Sequence, residues 1–172
     1  STATDNSGAH PGSTVGSPTW GAVGSGPLGS KNCELQLNGT SQYVWVGPLT
    51  AGTNLTYTIW IKVSSLPSAN VTIISDNNVA PNGTNGNFLT LKNDGTLRWF
   101  NFISGGPNTD LFSSRTITTN EWVFVAVTGD SKGVRLYIDG LASGSTSGVF
   151  ADMTSLSYLS FGAKCTVFPC IS

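Results

Sequence analysis

The chain has 172 residues and a mass of 17.9 kDa, enough for one domain with an ordinary core. Charged residues make up 10% of it, against roughly 25% in an average soluble domain, and eight basic and nine acidic side chains leave a net charge of −1. The basic residues are scattered singly, which argues against nucleic-acid binding; no apolar run approaches the ~20 residues of a membrane-spanning helix, and a single histidine, His10, rules out sites built on several.

Residues 1–32 carry seven glycines and three prolines and read as an N-terminal loop arm, packed on a folded body formed by residues 33–172. From Cys33 the pattern changes to short apolar-alternating runs separated by turn residues. Leu35 and Leu37 precede an Asn38-Gly39 turn, and Tyr43 to Val46 is the next run. Tyr57, Ile59, Ile61 and Val63 alternate with Thr58, Trp60 and Lys62 up to Pro67. Val71 to Ile74 leads into a polar segment, Asp76 to Asn87, whose Asn and Gly content predicts a long loop. Phe88 to Leu91 and Leu97 to Phe102 flank Asn93-Asp94-Gly95 and predict a hairpin. A second polar loop is expected over Ser104 to Asp110. Trp122 to Val127 is apolar on both faces, predicting a central strand covered on both sides. Val134 to Ile138 runs into Asp139-Gly140, and Leu156 to Phe161 is the last clear strand. No stretch of twelve residues carries a 3.6-residue apolar period. The prediction is an all-β, two-sheet antiparallel sandwich in a single domain.

Three cysteines, Cys33, Cys165 and Cys170, allow one bridge and one spare thiol in an oxidising compartment, with the pairing left open. Four Asn-x-Thr sequons, at Asn38, Asn54, Asn70 and Asn82, are glycan acceptors if the protein is secreted by a eukaryote. Polarity carried by Ser, Thr, Asn and Gly rather than by charge points to an extracellular, secreted, virion or cell-surface location.

Several segments together resemble one family. Asp5-Asn6-Ser7-Gly8 with the spaced glycines and Trp20, Leu35-Gln36-Leu37-Asn38-Gly39 followed by Tyr43-Val44-Trp45-Val46, Thr58-Ile59-Trp60-Ile61-Lys62, Glu121 to Thr128, and above all Val134-Arg135-Leu136-Tyr137-Ile138-Asp139-Gly140 are similar to the laminin G-like, concanavalin A-like lectin-glucanase jelly-roll domains. The resemblance covers nearly the whole chain and implies a jelly-roll sandwich. It departs at the end: the family's closing strand has no clear counterpart after Gly162, so that strand is missing or divergent. A missing strand leaves an unpaired sheet edge, a template for self-assembly or strand addition. Relatives that bind calcium imply Asp5 and the carbonyls of its loop as metal ligands.

Hydrolysis on this fold needs two carboxylates flanking the scissile bond. The two glutamates, Glu34 and Glu121, lie far apart in different contexts, and His10 sits in a Gly/Pro loop that makes no Ser-His-Asp set. No catalysis is therefore expected. Sugar recognition needs an aromatic platform beside planar polar groups, which the two Asn-rich loops supply: Asp76, Asn77, Asn85 and Asn87 in one, Asn108 and Asp110 in the other, with Trp99 and Asn101 on one strand face nearby. For Trp99 the competing reading is core packing, and for Trp60 and Trp122 the core reading leads. The sequence thus predicts a non-catalytic recognition module that binds glycan or a surface protein through loop ends. The alternatives are a structural or assembly domain of a virion, appendage or other surface polymer, and an inactive relative of the glycoside hydrolases.

Overall fold

The computed structural model describes residues 2–4, 7–49, 52–80, 83–148 and 158–163. Among them there is no helix, and fourteen strands form two facing sheets and a small ribbon. The arm contributes β1 (Thr2–Ala3), β2 (Gly12–Val15) and β3 (Thr19–Trp20), so it is not loop throughout. The Gly/Pro spacing that suggested loop marks the turns between these short strands. β4 (Leu35–Gln36) pairs with β3 in the ribbon, and β5 (Tyr43–Val46) and β6 (Leu55–Ile61) follow the predicted runs.

The segment expected to be a loop from Asp76 is instead a long hairpin, β7 (Val71–Ala80) and β8 (Gly83–Leu91). β9 (Thr96–Phe102) follows the predicted tight turn, where Gly95 takes a φ of 83° and Lys92 N–H donates to the Thr96 carbonyl at 2.9 Å. β10 (Thr109–Thr116) was not foreseen. β11 (Val123–Asp130) and β12 (Gly133–Ile138) come next, and Asp139-Gly140 links β12 to β13 (Leu141–Thr146), another strand without a forecast; β14 (Tyr158–Phe161) completes the set.

The large sheet runs β1-β2-β5-β14-β7-β8-β9-β10 and the smaller one β13-β12-β11-β6, with every pairing antiparallel. The core lies between them: Leu89, Leu97, Trp99 and Leu111 from the large sheet meet Val125, Val127, Val134 and Leu136 from the small one. Removing this much apolar surface from water, at about 25 cal/mol per Å², drives the two layers together.

β11 is interior in its sheet, yet only one of its faces is dry. Val123, Val125 and Val127 are buried, whereas Phe124, Ala126 and Thr128 on the outer face are half-buried. Trp60, opposite Phe124 across β6, is 37% exposed and rests against that ring at 5.1 Å between centroids. Trp122 is also half-buried, donating its indole N–H to the Ser25 carbonyl at 3.2 Å. The core reading of Trp60 and Trp122 is thus corrected: both belong to the outer side of the small sheet. The period of two places Trp60 opposite to Tyr57, Ile59 and Ile61, so the alternation itself held the signal.

Candidate functional site

The predicted ligand residues fall into two groups with opposite surroundings. Asp76, Asn87 and Asn101 stand directly opposite one another across β7, β8 and β9, forming a row on the inner face of the large sheet. Asp76 Oδ1 accepts the Asn87 backbone N–H at 2.9 Å, and its Oδ2 accepts Asn87 Nδ2 at 3.3 Å and the hydroxyl of Tyr57, which reaches across from β6. Asn101 Nδ2 donates in turn to Asn87 Oδ1 at 2.6 Å.

Asp76 is the only buried charged side chain among the described residues. Its burial pushes the carboxyl up to about 6, although the bonds from Tyr57 and Asn87 pull the other way. Burial, followed by the neighbouring carboxylate, also raises the Tyr57 phenol above its ordinary value. Trp99 is fully buried, with its ring tilted 38° on Tyr57 at 5.6 Å. Trp99, Asp76, Asn87 and Asn101 are therefore sealed between the layers rather than held out on loops. Asn101 Oδ1 is a buried acceptor with no hydrogen-bond partner among the described residues.

The second group lies at the surface. Asn85 Oδ1 accepts Ser104 N–H at 3.0 Å and Asn108 Oδ1 accepts Ile103 N–H at 3.2 Å. The first bond ties β8 to the β9–β10 connection, and the second braces that connection from within. Asp110 is exposed at the start of β10, where its two oxygens take Nε and Nη2 of Arg98, each at 2.7 Å. Side chains at 98, 100 and 102 point outward while Leu97, Trp99 and Asn101 point inward, so this end carries Phe100 and the 37%-exposed Phe102 beside the Asn-bearing turn. The side chain of Asn77 lies outside the described residues. Arg98, Phe100, Phe102 and Phe112 were missed by sequence reasoning. Once Trp99 is assigned to the core, the period of two assigns the first three to the outer face.

The remaining candidates are dispersed. His10 and Glu121 are exposed. Glu34 is held below the usual carboxylate range by bonds from the Ser25 hydroxyl and Gln36 Nε2. It lines a cleft of about 1270 Å³ beside β6, whose walls include Val46, Ile59, Leu159 and Phe161. No three His, Cys, Asp or Glu side chains gather as a metal site among the described residues, and Asp5 lies outside them. Cys33 is a free, exposed thiol, and Cys165 and Cys170 lie outside the described residues. Of the sequon residues, Asn38, Asn54 and Asn70 are exposed and Asn82 is outside the described set. Asn38 Oδ1 already clasps its own turn, accepting N–H from Thr40, Ser41 and Gln42 at 3.0–3.1 Å.

Two facing antiparallel sheets, with a dry interior and an aromatic, amide-rich end, define a lectin-like jelly roll. The chain belongs to the concanavalin A-like lectin/glucanases superfamily, whose laminin G-type family model matches residues 38–164. No curated protein shows a significant sequence match to it. Among solved structures, domain 4 of a GH43 extracellular arabinanase from Geobacillus stearothermophilus, in complex with arabinotriose, superposes with a TM-score of 0.69 at 21% identity, covering 99% of this chain and 82% of that one. The CBM40 of the Ruminococcus gnavus IT-sialidase, bound to α2,3-sialyllactose, gives 0.56 at 17% identity over 71% of this chain and 72% of that one. A Trypanosoma rangeli sialidase gives 0.59 at 15% identity over 95% of this chain, which spans only 25% of that larger protein. At these identities the likeness establishes the fold.

Proposed function

We propose that this domain is a non-catalytic, extracellular or surface-displayed glycan-recognition module that meets its ligand at the end of the sandwich bearing Asn85, Phe102 and Asn108. One observation carries this reading: the Asn85 amide ties β8 to the β9–β10 turn, the Asn108 amide braces that turn from within, and the large aromatic side chain of Phe102 is exposed beside them. A sugar presents a C–H face for stacking and hydroxyls that pair with planar amides, the two chemistries found together here. The arabinotriose held by the arabinanase domain and the sialyllactose held by the sialidase module make saccharides the natural ligand class for the fold.

The absence of catalysis is part of the proposal. A retaining hydrolase sets two carboxyl groups ~5 Å apart and an inverting one sets them ~6.5–9.5 Å apart. Asp76, the buried carboxyl, bonds instead to a phenol and an Asn amide. Binding of the domain to an immobilised glycan array tests the function. Phe102→Ala and Asn108→Ala should each weaken binding of whichever saccharide is captured by about tenfold, the equivalent of roughly 1.4 kcal/mol. A domain that captures no saccharide overturns the reading, and release of shortened sugars from a captured one overturns its non-catalytic part.

The structural or assembly alternative draws on a different observation. Among the described residues β6 is an edge strand, and its residues Leu55 to Ile61 carry no charge and no proline, a composition suited to pairing with another chain. Light scattering that rises with protein concentration, without any saccharide ligand, would favour it.

A further inference from the structure

We propose that the outer face of β9 and β10 is the stacking platform for an uncharged saccharide, an inference that rests on the glycan-binding reading above. Arg98 stands opposite Phe112 and Phe100 opposite Asp110, so the four side chains form a square on one face of two paired strands. The Arg98–Asp110 fork closes one diagonal, at 2.7 Å for both bonds. The guanidinium lies over both rings, 4.6 Å from the Phe100 centroid and 5.8 Å from that of Phe112. Lys92 Nζ approaches Phe112 at 5.4 Å while pairing with Asp94 at 2.9 Å. Phe112 is nevertheless 46% exposed, a large apolar ring displayed on a surface that holds it in place from two sides.

The charge pattern selects the occupant. Both cations of the patch are matched by carboxylates, so an anionic sugar finds no unpaired positive charge and meets Asp94 and Asp110. An uncharged sugar finds an apolar ring and, beside it, a planar hydrogen-bonding edge. The fork uses Nε and Nη2 of Arg98, which leaves Nη1 as a donor, and each Asp110 oxygen keeps acceptor capacity. Two neighbouring sugar hydroxyls can satisfy that pair while the C–H face covers Phe112. A fork already fixed in the free protein needs no side-chain ordering when the sugar arrives.

The test is an amide-shift NMR titration of the 172-residue domain with arabinotriose, maltotriose and lactose as uncharged probes and α2,3-sialyllactose as the anionic one. The expected result is binding of at least one uncharged probe, with the largest shifts on β9 and β10 and little change between about 0.05 and about 0.5 M NaCl. Phe112→Ala and Asp110→Asn should each weaken it about tenfold, and Phe112→Trp should retain it, all three with the urea midpoint of the parent chain. If both weakening variants bind like the parent while Asn108→Ala loses binding, the platform is overturned and the loop-end function stands. If only sialyllactose binds, with salt-sensitive affinity, the assignment to uncharged sugars is overturned. If no saccharide binds the parent chain on the array or in the titration, the function and the platform fall together.

Discussion

Asp76 shows how one side chain can set a pH dependence for the whole domain. Its carboxyl is fully buried, and the charge it would carry there is less well solvated than in the unfolded chain. The folded value of about 6 lies above the ordinary 3.8, so between these two the native state holds a proton that the unfolded state has released. Stability therefore falls as pH rises from about 4 to about 6 and is flat above, a difference on the order of 2–3 kcal/mol. Asp94, Asp130 and Glu34 are shifted the opposite way, and their contributions are lost as pH falls into their own lower range. The clean observable is thus the difference between the parent chain and Asp76→Asn, measured by urea unfolding at several pH values from about 4.5 to about 7.5. In the variant the amide oxygen keeps the Asn87 N–H and the amide nitrogen can donate to Tyr57 Oη. The variant should gain on the parent steadily with rising pH up to about 6 and not beyond. Parallel pH profiles would mean that Asp76 is equally protonated, or equally ionised, in both states.

At the scale of elements, the sequence was legible wherever one face of a strand is apolar and its turn has a chemical signature. Asp139 and Gly140 take φ values of 52° and 77°, as a two-residue hairpin turn demands, and Asp139 Oδ1 accepts Phe124 N–H at 2.9 Å to fasten the turn to β11. β10 and β13 were illegible for a physical reason. They are edge strands whose backbones come close together where the two sheets meet: a Cβ at Gly144 would lie 2.8 Å from the Phe112 carbonyl oxygen, and Arg115 N–H reaches Ser143 Oγ at 3.3 Å. Close approach calls for Ser and Gly, which erase the apolar alternation. The β7–β8 hairpin misled for a related reason, since its buried inner face is built from Asp76 and Asn87, and polar residues there mimic loop composition. The candidate site inherited that error, because Asp76, Asn87 and Asn101, rich in hydrogen-bonding capacity, are buried inside and bond to one another. Gly133 and Gly140 separate two costs that sequence alone cannot rank. Gly140 has a φ of 77° and open space at its Cβ position, whereas Gly133 has a φ of 128° and a Cβ there would collide with the Thr146 carbonyl. Gly140→Ala should cost about 1 kcal/mol from backbone strain alone, and Gly133→Ala about 3 kcal/mol or more. Equal losses in urea unfolding would show that β13 moves aside to accept the methyl group.

For the whole molecule, the N-terminal arm determines where the large sheet ends. β2 covers β5 in register from Gly12 opposite Val46 to Val15 opposite Tyr43, and β1 then caps β2. Gln42 Nε2 reinforces this seam by donating to the Gly16 and Ser17 carbonyls, both at 3.0 Å. β5 is Tyr-Val-Trp-Val, with no charge, proline or bulge to discourage pairing with another chain. Removing residues 1–17 turns β5 into an edge and uncovers the side of Val44 against which Gly12 is seated. At about 0.5–1.5 kcal/mol for each hydrogen bond lost, the truncation should cost on the order of 3 kcal/mol, and the exposed strand should drive association. Removing residues 1–8 takes away β1 but leaves β2 in place, so that shorter truncation should scatter light like the parent at every concentration. The longer one should scatter more strongly as concentration rises and unfold at lower urea. If the longer truncation stays monodisperse and fully stable, residues 18–172 form a self-sufficient sandwich and residues 1–17 are an accessory to it. If both truncations associate, β1 rather than β2 is the strand that guards the sheet edge.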